Sequence, residues 1–140
     1  VEGLADIVPP VRDISAGPAS GSFRSAGMLV APCSIRALSA IANSHSADLL
    51  VRAADVTLKE RRPLVLMVRE APLHLGHLSL MSRVTEMGGI IFPPMPAFYT
   101  QPACLDDVVS HTAARALELL GVELSGMFRW EGPDRPVSGG

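Results

Sequence analysis

The 140-residue chain lacks the materials for several kinds of protein. It has only two cysteines, Cys33 and Cys104, far apart and in no CxxC pair. That spacing disfavours a disulfide and points to reduced thiols in the cytoplasm. Neither sign of charge is in excess: 12 Lys and Arg against 14 Asp and Glu leave a net charge of -2. The chain as a whole therefore has no electrostatic attraction for nucleic acid or an anionic membrane, although a local anion site stays open. No apolar run approaches the roughly 20 residues that span a bilayer. The opening VEGLADIVPP has neither the basic start nor the apolar core of a secretory signal. It also has no initiator Met, so the numbering is expected to begin inside a longer protein. GxSxG, P-loop and HExxH motifs are all missing.

What remains is the composition of one folded domain, with 48% hydrophobic and 19% charged residues. The stretch through RDISAGPASGSFRSA is rich in Ser, Gly, Ala and Pro and reads as loop. GMLVA, PLVLMV and GGIIF are short apolar runs that suit buried strands. SIRALSAIANSHSADLLVRAADVTLKE is helical in composition with a break around Asn43 to Ser46, hence two helices. Leu75, Leu78 and Met81 recur at helical spacing. Leu105, Val108, Val109, Thr112, Ala116, Leu119 and Leu120 form a last apolar stripe, with Gly121 as its stop. Strands alternating with helices imply right-handed crossovers and a parallel α/β sheet, doubly wound and covered on both faces. Three strands make that sheet narrow, as if its first βα units were absent. Residues 1–124 read as this single domain. Residues 125–140, with the only tryptophan, Trp130, read as a tail without periodicity.

In such sheets ligands gather at the carboxyl ends of the strands. PCSIRA, REAPL and PPMPAFY therefore belong to one edge. Ser34 opens a helix and offers a hydroxyl beside unpaired N–H groups, suited either to an ordinary N-cap or to phosphate. Arg69 offers a planar fork for phosphate, and Glu70 a group that orients that cation or moves a proton; a solvated ion pair is the alternative. Tyr99 offers a phenol, while Phe98 is expected to pack in the core. Arg52 and Lys59 share a helix face, usually a solvated stripe, and Arg115 at the margin of the last stripe is by default a snorkelling surface residue. His74 and His77 in HLGH lack further ligands for a metal, which needs three or four. Arg69, Arg115, Lys59 and Tyr99, with Glu70, suit a phosphate-bearing ligand.

SGSFRSAGMLVAPCSIRAL, RAADVTLKERRPLVLMVREAPLHLGHLSLM and PPMPAFYTQP, in that order, closely resemble the UbiX-type flavin prenyltransferases from about Arg12 to Trp130. The resemblance implies a flavodoxin-like or Rossmann-like fold and a dodecamer of identical chains. It implies transfer of the dimethylallyl group of dimethylallyl phosphate to N5 and C6 of reduced FMN, without a metal, to make the prenylated flavin used by UbiD-type decarboxylases. It assigns FMN contacts to Ser34, Ile35, Arg36, Ala37 and Arg69, with Ser20 lining the flavin pocket. It assigns Tyr99 and Arg115 to the dimethylallyl phosphate, with Lys59 and Glu70 around the same phosphate. Trp130 matches an aromatic that closes the site from a neighbouring subunit.

Two departures accompany the resemblance. The family's opening strand and FMN-phosphate loop have no counterpart here, and Ala37 stands where a hydroxyl residue is more usual. The missing loop leaves a truncated, non-catalytic flavin-binding or assembly subunit as one alternative. The related cysteine decarboxylases are another, disfavoured because PASGSF and PPMPAFY replace that group's PASANT and PxMNxxM stretches.

Overall fold

Three apolar segments rich in Val, Ile and Leu pair into a parallel sheet in the computed structural model, which describes residues 2–123. They are β1 (Met28–Cys33), β2 (Leu64–Val68) and β3 (Ile90–Ile91), in the spatial order β1-β2-β3. Met28, Leu29 and Val30 lie beside Leu64, Val65 and Leu66, and Val65 and Leu66 beside Ile90 and Ile91. β1 runs past the expected stop at Pro32 to Cys33, with an irregularity in register between Val30 and Cys33. An edge strand tolerates that proline because its N–H side need not be paired. β3 is shorter than GGIIF suggested.

Parallel strands need long crossovers. The first is made by α1 (Ile35–Ala42) and α2 (Leu49–Lys59), the second by α3 (Leu75–Glu86), and α4 (Leu105–Glu118) follows β3. The expected break between α1 and α2 is present, with Ser44 at φ 50° and Asp48 capping α2 through Val51 N–H at 2.9 Å. Gly121 ends α4 as expected, at φ 77°, with Val122 N–H reaching back to the Leu117 carbonyl at 3.1 Å. A left-handed residue there is what this helix ending requires.

Successive β2 residues point to opposite faces, yet Leu64, Val65, Leu66 and Val68 are all buried. Burial on both faces is the signature of a central parallel strand. One face carries the main core: Val30, Leu64, Leu66 and Val68 against Leu38 and Ile41 of α1, Val51 and Ala54 of α2 and Val84 of α3. The other carries Leu29, Val65, Met67 and Ile90, and buried Ala116 of α4 also lies outside the main core cluster. The α3 stripe departs from expectation. Leu75 is 78% and Leu78 49% exposed, and the core contact is made by Val84 with Leu80, Met81 and Met87. In α4, Leu105 and Val109 are likewise exposed.

Leu66, wholly buried at the centre of this arrangement, sets a measurable scale. Leu66→Ala is expected to lower unfolding free energy by about 3 kcal/mol in urea titrations. A loss under about 1 kcal/mol would mean that β2 is not the centre of the core.

Candidate functional site

Because all three strands are parallel, the segments that leave β1, β2 and β3 emerge at one edge of the sheet. The first contains Ser34 to Ala37. Ser34 Oγ accepts the Ala37 N–H at 3.2 Å, so the hydroxyl serves as the N-cap of α1. The N–H groups of Ile35 and Arg36 fall in the first turn, where a helix offers them no acceptor of its own. They sit at the positive end of the helix dipole. A groove of about 980 Å³ runs beside them, lined by Ser34, Arg36, Ala37, Arg12, Asn43 and Asp48 among others. That volume is in the range of small-molecule and cofactor sites.

Arg69 and Glu70 leave β2 at the same edge, both exposed, with Glu70 Oε1 accepting the Ala71 N–H at 3.2 Å. Neither lines the groove beside α1. After β3, the 3-10 turn Phe98–Thr100 presents Phe98 and Tyr99 outward, 73% and 69% exposed. The expectation that Phe98 packs in the core is therefore corrected. A short turn between prolines leaves its ring no interior to enter.

Lys59, Arg115 and Ser20 lie elsewhere. α2 and α4 run back against the strands, so their last turns, with Lys59 and Arg115, approach the amino edge. A Cβ on Gly27, just before β1, would meet Leu120 just after α4 and the Pro63 carbonyl just before β2. Lys59 pairs with Glu60, and Arg115 bonds Glu118 at 2.6 Å. Glu60 is held below the usual carboxylate range, first by the hydrogen bond from Lys59 and then by its charge. Ser20 Oγ lies 2.9 Å from Ser22 Oγ, in a loop running along α2 towards Lys59. Within one copy, then, Arg69, Glu70 and Tyr99 share the carboxyl edge, while Lys59 and Arg115 lie towards the opposite one. Trp130 lies outside the described residues.

What holds the Ser20 loop leaves no mark in the sequence. Arg62 donates to the carbonyls of Gly21 at 2.9 Å and Phe23 at 2.6 Å, and Arg52 Nε to that of Ala19 at 3.2 Å. No spacing signal separates such straps from the neighbouring charges in KERRP. For His74 and His77, no group of three or more His, Cys, Asp or Glu among the described residues could hold a metal ion.

Comparison with known proteins decides the family. The Flavoprotein family model matches residues 12–115. Flavin prenyltransferase UbiX of Thauera aromatica is 53% identical over 132 residues, which cover 94% of this chain and 68% of the relative. Its counterpart in Escherichia coli (strain K12) is 54% identical over 134 residues, covering 94% and 71%. This chain belongs to the UbiX flavin prenyltransferase family. The fold agrees: AnUbiX, solved in complex with FMN and dimethylallyl pyrophosphate, matches at a TM-score of 0.90 and 45% identity, over 94% of this chain and 70% of that one. A dodecameric FMN-dependent UbiX-like decarboxylase from Escherichia coli O157:H7 matches at 0.88 and 46% identity, over 93% and 70%. Among the described residues, no helix is long and apolar enough to cross a membrane.

Cys33 ends β1 immediately before Ser34, but its chemistry is closed. Burial pushes the thiol up to about 11, outweighing a backbone hydrogen bond, so it stays protonated at neutral pH. In the native protein at pH 8, a thiol reagent is expected to label exposed Cys104 and to reach Cys33 only after denaturation. Rapid native labelling of both would contradict the packing at the carboxyl end of β1.

Proposed function

We propose that this chain acts as a flavin prenyltransferase, joining the dimethylallyl group of dimethylallyl phosphate to N5 and C6 of reduced FMN. The observation that carries the reading is the shared edge. The first turn of α1, the Arg69–Glu70 pair and Tyr99 all leave the sheet on one side, in a chain more than half identical to UbiX enzymes along most of its length. The first turn of α1 fits a flavin phosphate: it offers N–H groups beside Ser34 and Arg36. FMN is itself a substrate, and its reduced ring supplies the nucleophilic atoms.

The chain's own groups supply the electrostatics. Monophosphate leaves poorly unless the charge that grows on it is stabilised, and guanidinium, ammonium and phenol donors do this best where water is excluded. We assign Arg69 to the flavin and phosphate, and Tyr99, Arg115 and Lys59 to the phosphate. Glu70 orients Arg69 or moves a proton. Ser20 lines the flavin pocket in this reading. Since Lys59 and Arg115 lie away from Arg69 within one copy, a complete site takes them from neighbouring copies. A dodecamer like that of the Escherichia coli O157:H7 relative provides such neighbours. The prenylated flavin would pass to a UbiD-type decarboxylase, and no metal is assigned a role.

Incubation with reduced FMN and dimethylallyl phosphate is expected to yield, by mass spectrometry, a flavin heavier by one prenyl unit. Bound FMN recovered unchanged would leave a flavin-binding subunit without turnover. Glu70→Gln is expected to lower turnover by about 10²-fold while FMN affinity shifts by less than about threefold. Equal loss of both would make Glu70 structural. A shared site makes a further demand. Oligomers mixed from Lys59→Ala and Glu70→Gln chains are expected to recover activity that neither variant has alone, and no recovery would place both groups in one copy's site.

A further inference from the structure

The six residues between β2 and α3, Arg69 to His74, carry two of the assigned site residues at one end and an unusual helix cap at the other. His74 is the N-cap of α3, and its Nδ1 accepts the Gly76 N–H at 3.0 Å. Its ring lies against that of His77 with centroids 3.7 Å apart and planes tilted by 32°. Histidine is not among the common capping residues, which are Ser, Thr, Asp and Asn. His77 Nδ1 is buried without a hydrogen-bond partner. A buried polar atom left unpaired costs stability and calls for an explanation. A Ser or Asp at residue 74 would cap the helix without a stacked ring.

The loop itself is sparsely held. Glu70 bonds only its neighbour Ala71 among the described side-chain hydrogen bonds, and none involves Arg69. Residues 69–76 are exposed throughout. The near end is fixed by β2, where buried Val68 lies beside Cys33. The far end is held at His74, by the Leu78 N–H donating to its carbonyl at 3.2 Å and, through its side chain, by the cap on Gly76 and the stack on His77.

We infer that His74 is a positioning residue, clamping the far end of the loop so that Arg69 and Glu70 keep one geometry. The inference rests on the reading of Arg69 and Glu70 as site residues. Groups displaced by as little as 1 Å can cost about 10²-fold in rate, so a loosened loop affects turnover before it affects the fold. His74 does not itself need to touch a substrate.

Two variants and two readouts test this. His74→Ala removes the acceptor, whereas His74→Asn keeps a side-chain acceptor at the cap. By hydrogen exchange, His74→Ala is expected to speed the Gly76 amide by about fivefold, the equilibrium worth of one cap, and His74→Asn to restore it. Turnover per bound flavin is expected to fall at least about tenfold in His74→Ala, with FMN affinity changed by less than about threefold, and to recover largely in His74→Asn. Should His74→Ala fail to fold, His74→Gly, tolerated at caps but without an acceptor, takes its place. Unchanged exchange at Gly76, or full turnover without the acceptor, overturns the clamp. Equal loss of turnover in the Ala and Asn variants also overturns it, because the imidazole itself would then be needed. If the unmutated chain makes no prenylated flavin, the functional reading fails, and the exchange measurement still decides whether His74 holds the loop.

Discussion

The burial of β2 on both faces is the constraint on which the rest depends. Leu64, Val65, Leu66 and Val68 are buried and only Met67 is half-buried, so no residue of the strand is left exposed. Charge therefore returns only where the strand ends, at Arg69 and Glu70. Parallel pairing with β1 and β3 brings the exits of those strands to the same edge. The same register that fills the core thus places a helix N-terminus, an Arg-Glu pair and an exposed phenol within one rim.

The opposite edge is built by different means. There the chain folds back through α2 and α4, and Arg52 and Arg62 tie the Ser-Gly loop by its carbonyl groups. In one copy Lys59 pairs with exposed Glu60 and Arg115 with half-buried Glu118. Exposed Leu75, Leu78, Phe98, Leu105 and Val109 are also unusual for a chain with so apolar a composition. Apolar surface of this extent is what interfaces between copies cover.

Much of the fold was legible in the sequence. The strands declared themselves as short apolar runs. The break between α1 and α2 was marked by the stretch from Asn43 to Ser46, and the end of α4 by Gly121. Helix faces were harder to read. Leu75 and Leu78 recur at helical spacing like any core stripe, but periodicity shows only that residues share a face, not what covers it. Phe98 was misread because its apolar ring gave no sign that a 3-10 turn would hold it outward. The residue types of the site were legible, with the family resemblance supplying their roles. Their division between two edges was not, because Lys59 and Arg115 stand far along helices whose direction only the topology fixes. His74 as a cap was hidden for a simpler reason: a ring nitrogen accepting from Gly76 leaves no distinct pattern in the sequence.

The central claim is that the carboxyl edge of this sheet is where the flavin binds. Titration of the chain with FMN, followed by quenching of flavin fluorescence, tests it most directly. Saturable quenching is expected, weakened by about tenfold or more in Arg69→Ala through loss of a charge-assisted contact. Equal affinity in the two proteins, or no saturable binding by the unmutated chain, would contradict it.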